Sequence, residues 1–383
     1  MNGAPRVVGV MVPFLLSAYS VFSLIYVIPQ VAQSLGVGVG PVSFAVSLSF
    51  LGGAVGGVVI GAAADRWGRK LGLAVSIILF GSATMLAGLV GSIWELYMLW
   101  FLVGFGVNSE NGVSYAVVVE AWRSNQGLLG SAMQGLYPVG MLLDAVTSIL
   151  VRNWRPYMIV VGAVSLIASL ACIYLIPETK GRMASVNYGA VFSSRLRRVT
   201  WLGTALVASA FLFTVPFISL TPTYLLSHGF RGASYEAAVI GLSIGEAIAF
   251  TSAGYVMDRL GPLTATLSLA SLALASSLAF LLLNMVRAGM AVIVPIALGY
   301  ASSSFFAYMG VLMGRLYPPE VRATGTNFTF LLGRLAAGAG VALASLIYPS
   351  NLGIGLSILM IASSLLALAS AVPLLRGPST GNP

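Results

Sequence analysis

The sequence predicts an all-α membrane protein, with twelve transmembrane helices in two pseudo-symmetric six-helix bundles. Composition is the first ground: of 383 residues 58% are hydrophobic and 8% charged, where a soluble domain carries about a quarter charged residues. The second is spacing, since apolar runs of about 20 residues, the length that crosses a hydrocarbon core, recur along the whole chain. The third is repetition. A charged loop, Gly61-Ala-Ala-Ala-Asp65-Arg66-Trp67-Gly68-Arg69-Lys70, interrupts the apolar pattern early, and Gly254-Tyr-Val-Met-Asp258-Arg259-Leu-Gly261 repeats its spacing one domain later.

The first span, at about 8–28, lacks a cleavage-site signature and is followed by further spans, so it reads as a helix and not a signal peptide. A Gly- and Pro-containing stretch separates it from the second, at 42–64, which stops at the charged loop; the third, at 71–91, follows at once. The fourth and fifth, 96–119 and 127–151, flank the polar residues around Glu120 and Arg123, and Arg152 to Arg155 lead into the sixth at 156–176. Pro177 to Thr200 is the longest polar stretch. It divides the chain into an amino-terminal bundle, 1–176, a cytoplasmic linker, 177–199, and a carboxy-terminal bundle, 200–383. There the spans are expected at 200–226, 235–257, 263–285, 290–316, 323–349 and 352–374, each bounded by polar, Gly or Pro residues.

Orientation follows from the cations. With the amino terminus inside, every Lys and Arg falls on the cytoplasmic side except Arg152, Arg155, Arg231 and Arg287 outside and Arg334 within a span. Both termini are therefore expected on the cytoplasmic side of the cell membrane. The net charge of +9 reflects this topology, and no nucleic-acid partner is expected. Arg195, Arg197 and Arg198 read as a membrane-surface anchor. The single Cys172 allows no intramolecular disulfide and no thiolate metal site. No nucleophile with a paired base, metal cluster or phosphate loop is present in the pattern, and His228, the only histidine, falls at an outer helix end. Neither an enzyme nor a cofactor is expected. Small-residue runs such as Gly52-Gly53-Ala54-Val55-Gly56-Gly57 are expected to let helices approach closely.

Four ionisable residues fall inside spans: Glu110, Asp144, Glu246 and Arg334. Each costs about 2.5–3.5 kcal/mol at a helix centre, so each needs a cavity, a partner or a proton. Arg334 cannot lose its proton and wants a permanent anion, either a substrate carboxylate or Glu246 or Glu110 as an ion-pair partner. The three carboxylates are the candidate proton carriers. Gln134, Tyr137, Met141, Asp144 and Ser148 follow one another by three or four residues and form a polar stripe on the fifth span. Tyr19, Ser23, Tyr26 and Gln30 do so on the first, and Asn327 shares the face of Arg334 on the eleventh. The candidate substrate-binding residues are Arg334, Tyr19, Tyr26, Gln134, Tyr137, Asn327 and Tyr308.

The loop at Gly61 resembles the one between the second and third helices of the major facilitator superfamily. That pattern is Gly, three residues, Asp, Arg or Lys, one residue, Gly, then two basic residues, matched at Gly61, Asp65, Arg66, Gly68, Arg69 and Lys70. The resemblance implies two parallel halves that rock about a midplane substrate site. It also implies that Asp65 meets the start of a helix in the other half. Asp65 and Arg66 would latch the cytoplasmic side, with Glu120 and Arg123 pairing to charged loop residues. Asp258 and Arg259 would form a mirror latch weakened by loss of the basic pair, since Pro262 and Leu263 follow Gly261.

Phe101-Leu-Val-Gly104-Phe-Gly106-Val-Asn-Ser-Glu110 is similar to the fourth-helix pattern of the sialate and monocarboxylate proton symporters. Tyr317-Pro318-Pro-Glu320-Val-Arg322-Ala-Thr-Gly325, followed by Gly333-Arg334, is similar to the same group's tenth-to-eleventh helix region. Departures are Trp100 where that group has Arg, Asn108 and Ser109 in place of paired glycines, and a first span without an acidic residue. The resemblance implies a monomeric secondary transporter in the lipid bilayer, moving a small organic anion together with protons. A proton-coupled exporter, a sugar porter and a non-transporting solute sensor stay open. Tyr137-Pro138-Val-Gly140 partly echoes the first, and Pro177-Glu178-Thr179-Lys180-Gly181-Arg182 resembles a motif of the second.

Overall fold

A computed structural model describes residues 3–176, 178–179, 188–347 and 351–376. Among the described residues each expected span coincides with helix, the third ending at Ala87, short of its expected end. In the amino-terminal half these are α1 (Gly3–Phe22), α2 (Ile28–Leu35), α3 (Val39–Trp67), α4 (Arg69–Ala87), α5 (Ile93–Ala121), α6 (Gln126–Leu150) and α7 (Trp154–Ile173). The carboxy-terminal half contributes α8 (Arg197–Ser227), α9 (Ala233–Leu260), α10 (Pro262–Met285), α11 (Ile293–Ser302), α12 (Met309–Leu316), α13 (Arg322–Ile347) and α14 (Leu352–Leu375). Pro177, Lys180 and Arg182 of the linker motif lie outside the described residues.

Two spans are broken, and side chains explain both breaks. In the first, α1 gives way to a 3-10 segment at Ser23–Val27 before α2. Ser23 donates its hydroxyl to the Ser20 carbonyl at 2.8 Å, an alternative to the helical ladder, and Pro29 has no N–H and occupies the first turn of α2. In the tenth, a 3-10 segment at Ser303–Tyr308 separates α11 from α12. Ser302 and Ser303 there bond back to the carbonyls of Gly299 and Tyr300, at 3.0 and 2.7 Å.

Nine helical segments among the described residues are long and apolar enough to cross a membrane. The remaining spans are α5, α6 and α13, and each carries an intramembrane charge: Glu110, Asp144 and Arg334 respectively.

The chain forms two compact units. The first comprises Met1–Arg123, Leu136–Ser193 and Tyr317–Leu331; the second comprises Ser124–Gly135, Ser194–Leu316 and Leu332–Pro383. The start of α6 is counted with the second unit and the start of α13 with the first. In the first unit α3 and α5 touch backbone to backbone: a Cβ at Gly104 would lie 1.8 Å from the Ser49 carbonyl oxygen, and one at Gly52 2.0 Å from that of Phe101. Trp100, Phe80 and Tyr157 fill the core beside this seam. In the second unit Phe217 is the centre of a ring cluster, with Tyr300 at 5.3 Å, Phe213 at 5.9 Å and Phe280 at 6.2 Å between centroids.

Candidate functional site

Gly68 separates α3 from α4 with φ +108°, a conformation that side chains with a Cβ rarely adopt, so the chain turns sharply there. The turn sets Asp65 and Arg69 one helical repeat apart, both fully buried, with Arg69 Nη1 2.5 Å from Asp65 Oδ1. The rest of the Arg69 fork grips Glu120, Nη2 to Oε1 at 2.7 Å and Nε to Oε2 at 3.1 Å. Arg322 Nη1 also reaches Glu120 Oε1 at 3.0 Å, and Thr179 donates to Oε2 at 2.6 Å. The Glu120 carboxyl, beyond the end of its expected span, is pushed up by burial but more than compensated by Arg69, Thr179 and Arg322, which hold it below its ordinary value.

Asp65 in turn caps α13. It accepts the backbone N–H groups of Ala323 and Thr324 at 3.2 and 2.7 Å and the Thr324 hydroxyl at 2.5 Å. A carboxylate on free amides at a helix start is the favourable pole of the helix dipole. Glu178 accepts the backbone N–H groups of Arg69 and Lys70, at 2.8 and 3.3 Å. Two expected participants sit elsewhere. Arg66 is exposed with its guanidinium 5.2 Å from the Trp67 ring centroid, and Arg123 is exposed. Arg69 and Arg322 are the cations at Glu120.

The second unit holds a counterpart. Asp258 Oδ2 accepts the backbone N–H of Leu128 at 3.1 Å, in the first turn of α6, and Oδ1 accepts from Arg315 Nη2 at 2.6 Å. Arg315 Nε donates to Gln126 at 2.7 Å. Arg259 is exposed over the Tyr255 ring, at 5.2 Å. The basic residue missing after Gly261 is thus supplied by Arg315, from the last turn of α12. Sequence reading missed this role, although a lone cation ending an apolar span was its visible signal.

The polar residues of the spans fall in separate places. Glu110 is fully buried in the first unit, its Oε1 accepting from Ser114 at 2.5 Å. Its Oε2 has no hydrogen-bond partner among the described residues. Asn111 donates to the Tyr137 hydroxyl at 2.6 Å, and the Tyr137 ring packs edge-on against Phe14 and Phe22. Asn327 is buried on Gly61 and Gly112; its amide nitrogen and oxygen would lie 2.1 and 2.2 Å from a Cβ at Gly112. Neither amide atom has a hydrogen-bond partner among the described residues.

Asp144 lies among aromatic hydroxyls. Tyr157, from α7, donates to Asp144 Oδ1 at 2.7 Å. Tyr19 shares a hydrogen bond with Thr147 at 2.7 Å, and Tyr26 donates to the Met141 carbonyl at 2.9 Å. Tyr157 was not a sequence candidate, because it follows Pro156 in a helix whose periodicity carries no polar stripe.

In the second unit Arg334, on α13, is 3% exposed. Its neighbour Gly333 packs on Phe211, 2.5 Å from a would-be Cβ to the ring. Glu246, on α9, is 9% exposed, and Gln134 8%. Tyr300 and the Gly241 to Gly245 face of α9 line a cavity of about 280 Å³ in this unit. Tyr308 is fully buried and shares a 3.2 Å hydrogen bond with Thr266, inside the helix packing.

Broken spanning helices, buried charges within the spans and carboxylates capping helix starts in both units define a multi-pass membrane transporter. The chain belongs to the Major Facilitator Superfamily, whose family model matches residues 10–341. It is a transporter and not an enzyme.

Among curated relatives, it is 27% identical to the 4-hydroxybenzoate transporter PcaK of Pseudomonas aeruginosa, over 92% of this chain and 87% of that one. It is 24% identical to the gentisate transporter of Corynebacterium glutamicum, over 86% and 78%. It is 26% identical to the 3-(3-hydroxy-phenyl)propionate transporter of Escherichia coli, over 78% and 75%. Among solved structures the proton:xylose symporter XylE superposes with a TM-score of 0.78 at 14% identity, over 98% of this chain and 96% of that one. The human organic anion transporter MFSD10 does so with 0.73 at 16%, over 98% and 100%.

Proposed function

We propose that this protein carries a small organic acid, with an aromatic carboxylate as the leading class, together with protons by alternating access. The observation that carries the reading is Arg334, a permanent cation 3% exposed within a spanning helix. The planar fork of an arginine suits a carboxylate bidentately. The relatives' names add the aromatic class: 4-hydroxybenzoate, gentisate and hydroxyphenylpropionate are each an aromatic ring bearing a carboxylate.

On this reading Glu110 and Glu246 hold protons during the cycle, and Gln134, in the same unit as Arg334, contributes a polar contact to the acid. Residues 1–176 and 200–383 are its two halves, joined by 177–199. Asp65, Arg69 and Glu120 in one unit, and Asp258 and Arg315 in the other, gate access. The chain works as a monomer in the cell membrane with both termini cytoplasmic.

The experiment is uptake into proteoliposomes of labelled 4-hydroxybenzoate, gentisate, aliphatic acids, sugars and cations, with and without an inward proton gradient. Gradient-stimulated uptake of the aromatic acids is expected. Transport of sugars or expulsion of cations instead would replace the reading with the porter or exporter alternative.

A further inference from the structure

Asp144 is fully buried, and among the described residues no Lys or Arg forms an ion pair with it. Among the described residues the groups facing it are phenols, Tyr19 from α1, Tyr26 from the 3-10 segment and Tyr157 from α7, and Thr147 on its own helix is bonded to Tyr19. Oδ1 accepts from Tyr157, while Oδ2 has no hydrogen-bond partner among the described residues. The Tyr157 hydroxyl oxygen also lies 3.3 Å from the backbone carbonyl of Ser23, the first residue of the 3-10 break in the first span.

A phenol has one hydrogen to give. We infer that Tyr157 is a positioning residue that couples protonation of Asp144 to the break in the first span, a role that rests on the proton-coupled reading above. When Asp144 is ionised, Tyr157 donates to its carboxylate. When Asp144 takes up a proton, its own O–H donates to the phenol oxygen, and the phenol hydrogen turns to the Ser23 carbonyl. One proton enters, one hydrogen bond reverses, and no other reactant is required. The Ser23 carbonyl stands where α-helical pairing gives way to 3-10 pairing, so gaining or losing this donor biases the local winding of the first span. Ser23 itself is tied to Ser20 by its hydroxyl, which leaves Tyr157 as the side chain that reads Asp144 and reaches the carbonyl.

The test is acid-minus-alkaline infrared difference spectroscopy on the purified full chain in liposomes, with no transported acid added. It is paired with hydrogen–deuterium exchange of the segment 20–28, corrected for intrinsic exchange rates. The expected result is a protonated-carboxyl band lost in Asp144→Asn and displaced in frequency, not lost, in Tyr157→Phe. Exchange at 20–28 should differ between acid and alkaline buffer in the wild type and become indifferent to pH in Tyr157→Phe. Incorporating ¹³C-labelled aspartate assigns the band should Asp144→Asn fail to fold.

A band unmoved by Tyr157→Phe, an absent Asp144 band, or pH-dependent exchange retained in that variant overturns the inference. The two readings fail separately. Uptake of 4-hydroxybenzoate that ignores the proton gradient overturns the coupling role and the symport reading together. A silent Asp144 in a chain whose uptake is proton-driven overturns this inference alone.

Discussion

Asp65 accepts both the backbone N–H and the hydroxyl of Thr324, at 2.7 and 2.5 Å, while its other oxygen receives Arg69. The carboxylate thus joins a turn, a buried cation and the start of α13. Asp65→Asn keeps the shape, removes the charge and leaves the Arg69 guanidinium to Glu120 alone. Loss of a buried hydrogen bond to a charged group costs about 1.5–3 kcal/mol. A marked fall in thermal stability of the detergent-solubilised protein is expected, measured by dye-monitored unfolding. A melting temperature equal to that of the wild type would contradict this account of the loop.

Arg315 and Arg259 are predicted to behave differently despite similar sequence prospects. Arg315→Gln removes a 2.6 Å charged hydrogen bond to Asp258, worth about 1.5–3 kcal/mol. Arg259→Gln removes only a surface contact over Tyr255, within about 0.5 kcal/mol of neutral. Parallel melts and uptake rates of the two variants check the order; equal effects would show that Arg315 is not the cation of that site.

The Asn327 amide occupies the space a methyl group at Gly112 would need, with atoms 2.1 and 2.2 Å from the added carbon. Gly112→Ala is therefore expected to destabilise the protein or stop transport, and Asn327→Ala in the same chain to restore part of the loss. Overpacking of this kind costs about 1–3 kcal/mol. A double-mutant cycle reads the coupling. Strict additivity would mean the two positions do not meet.

Glu120 gives a pH prediction. Its folded carboxyl is held below the ordinary value, so its stabilisation is present above the unfolded carboxylate range and disappears as pH falls through the folded value. Melting temperature should drop on the acid side of that range in the wild type. Glu120→Gln should start lower and show a flatter acid limb; an unchanged limb would remove Glu120 from the network.

Much of this architecture is visible in the chain because membrane physics writes it plainly. Twenty-residue apolar runs and the Asp65 loop placed the helices, and burial of Glu110, Asp144 and Arg334 follows from the cost of charge in lipid. What stayed hidden depends on three-dimensional pairing. The break at Ser23 needs a side chain that competes with its own backbone, and such serines occur all along the chain. Tyr157 meets Asp144 from another helix, a pairing that no spacing along the sequence encodes. Arg315 takes the place of a missing loop cation from a different span, and Arg66, inside the motif, turns out to the surface. Spacing alone could not separate these two arginines.

The most direct measurement for the central claim is proton-gradient-driven uptake of labelled 4-hydroxybenzoate in proteoliposomes, comparing the wild type with Arg334→Lys and Arg334→Gln. The account predicts uptake in the wild type, a large loss in Arg334→Lys because the planar fork is gone, and none in Arg334→Gln. Uptake in Arg334→Gln at the wild-type rate, in a variant that folds and reconstitutes normally, would contradict it.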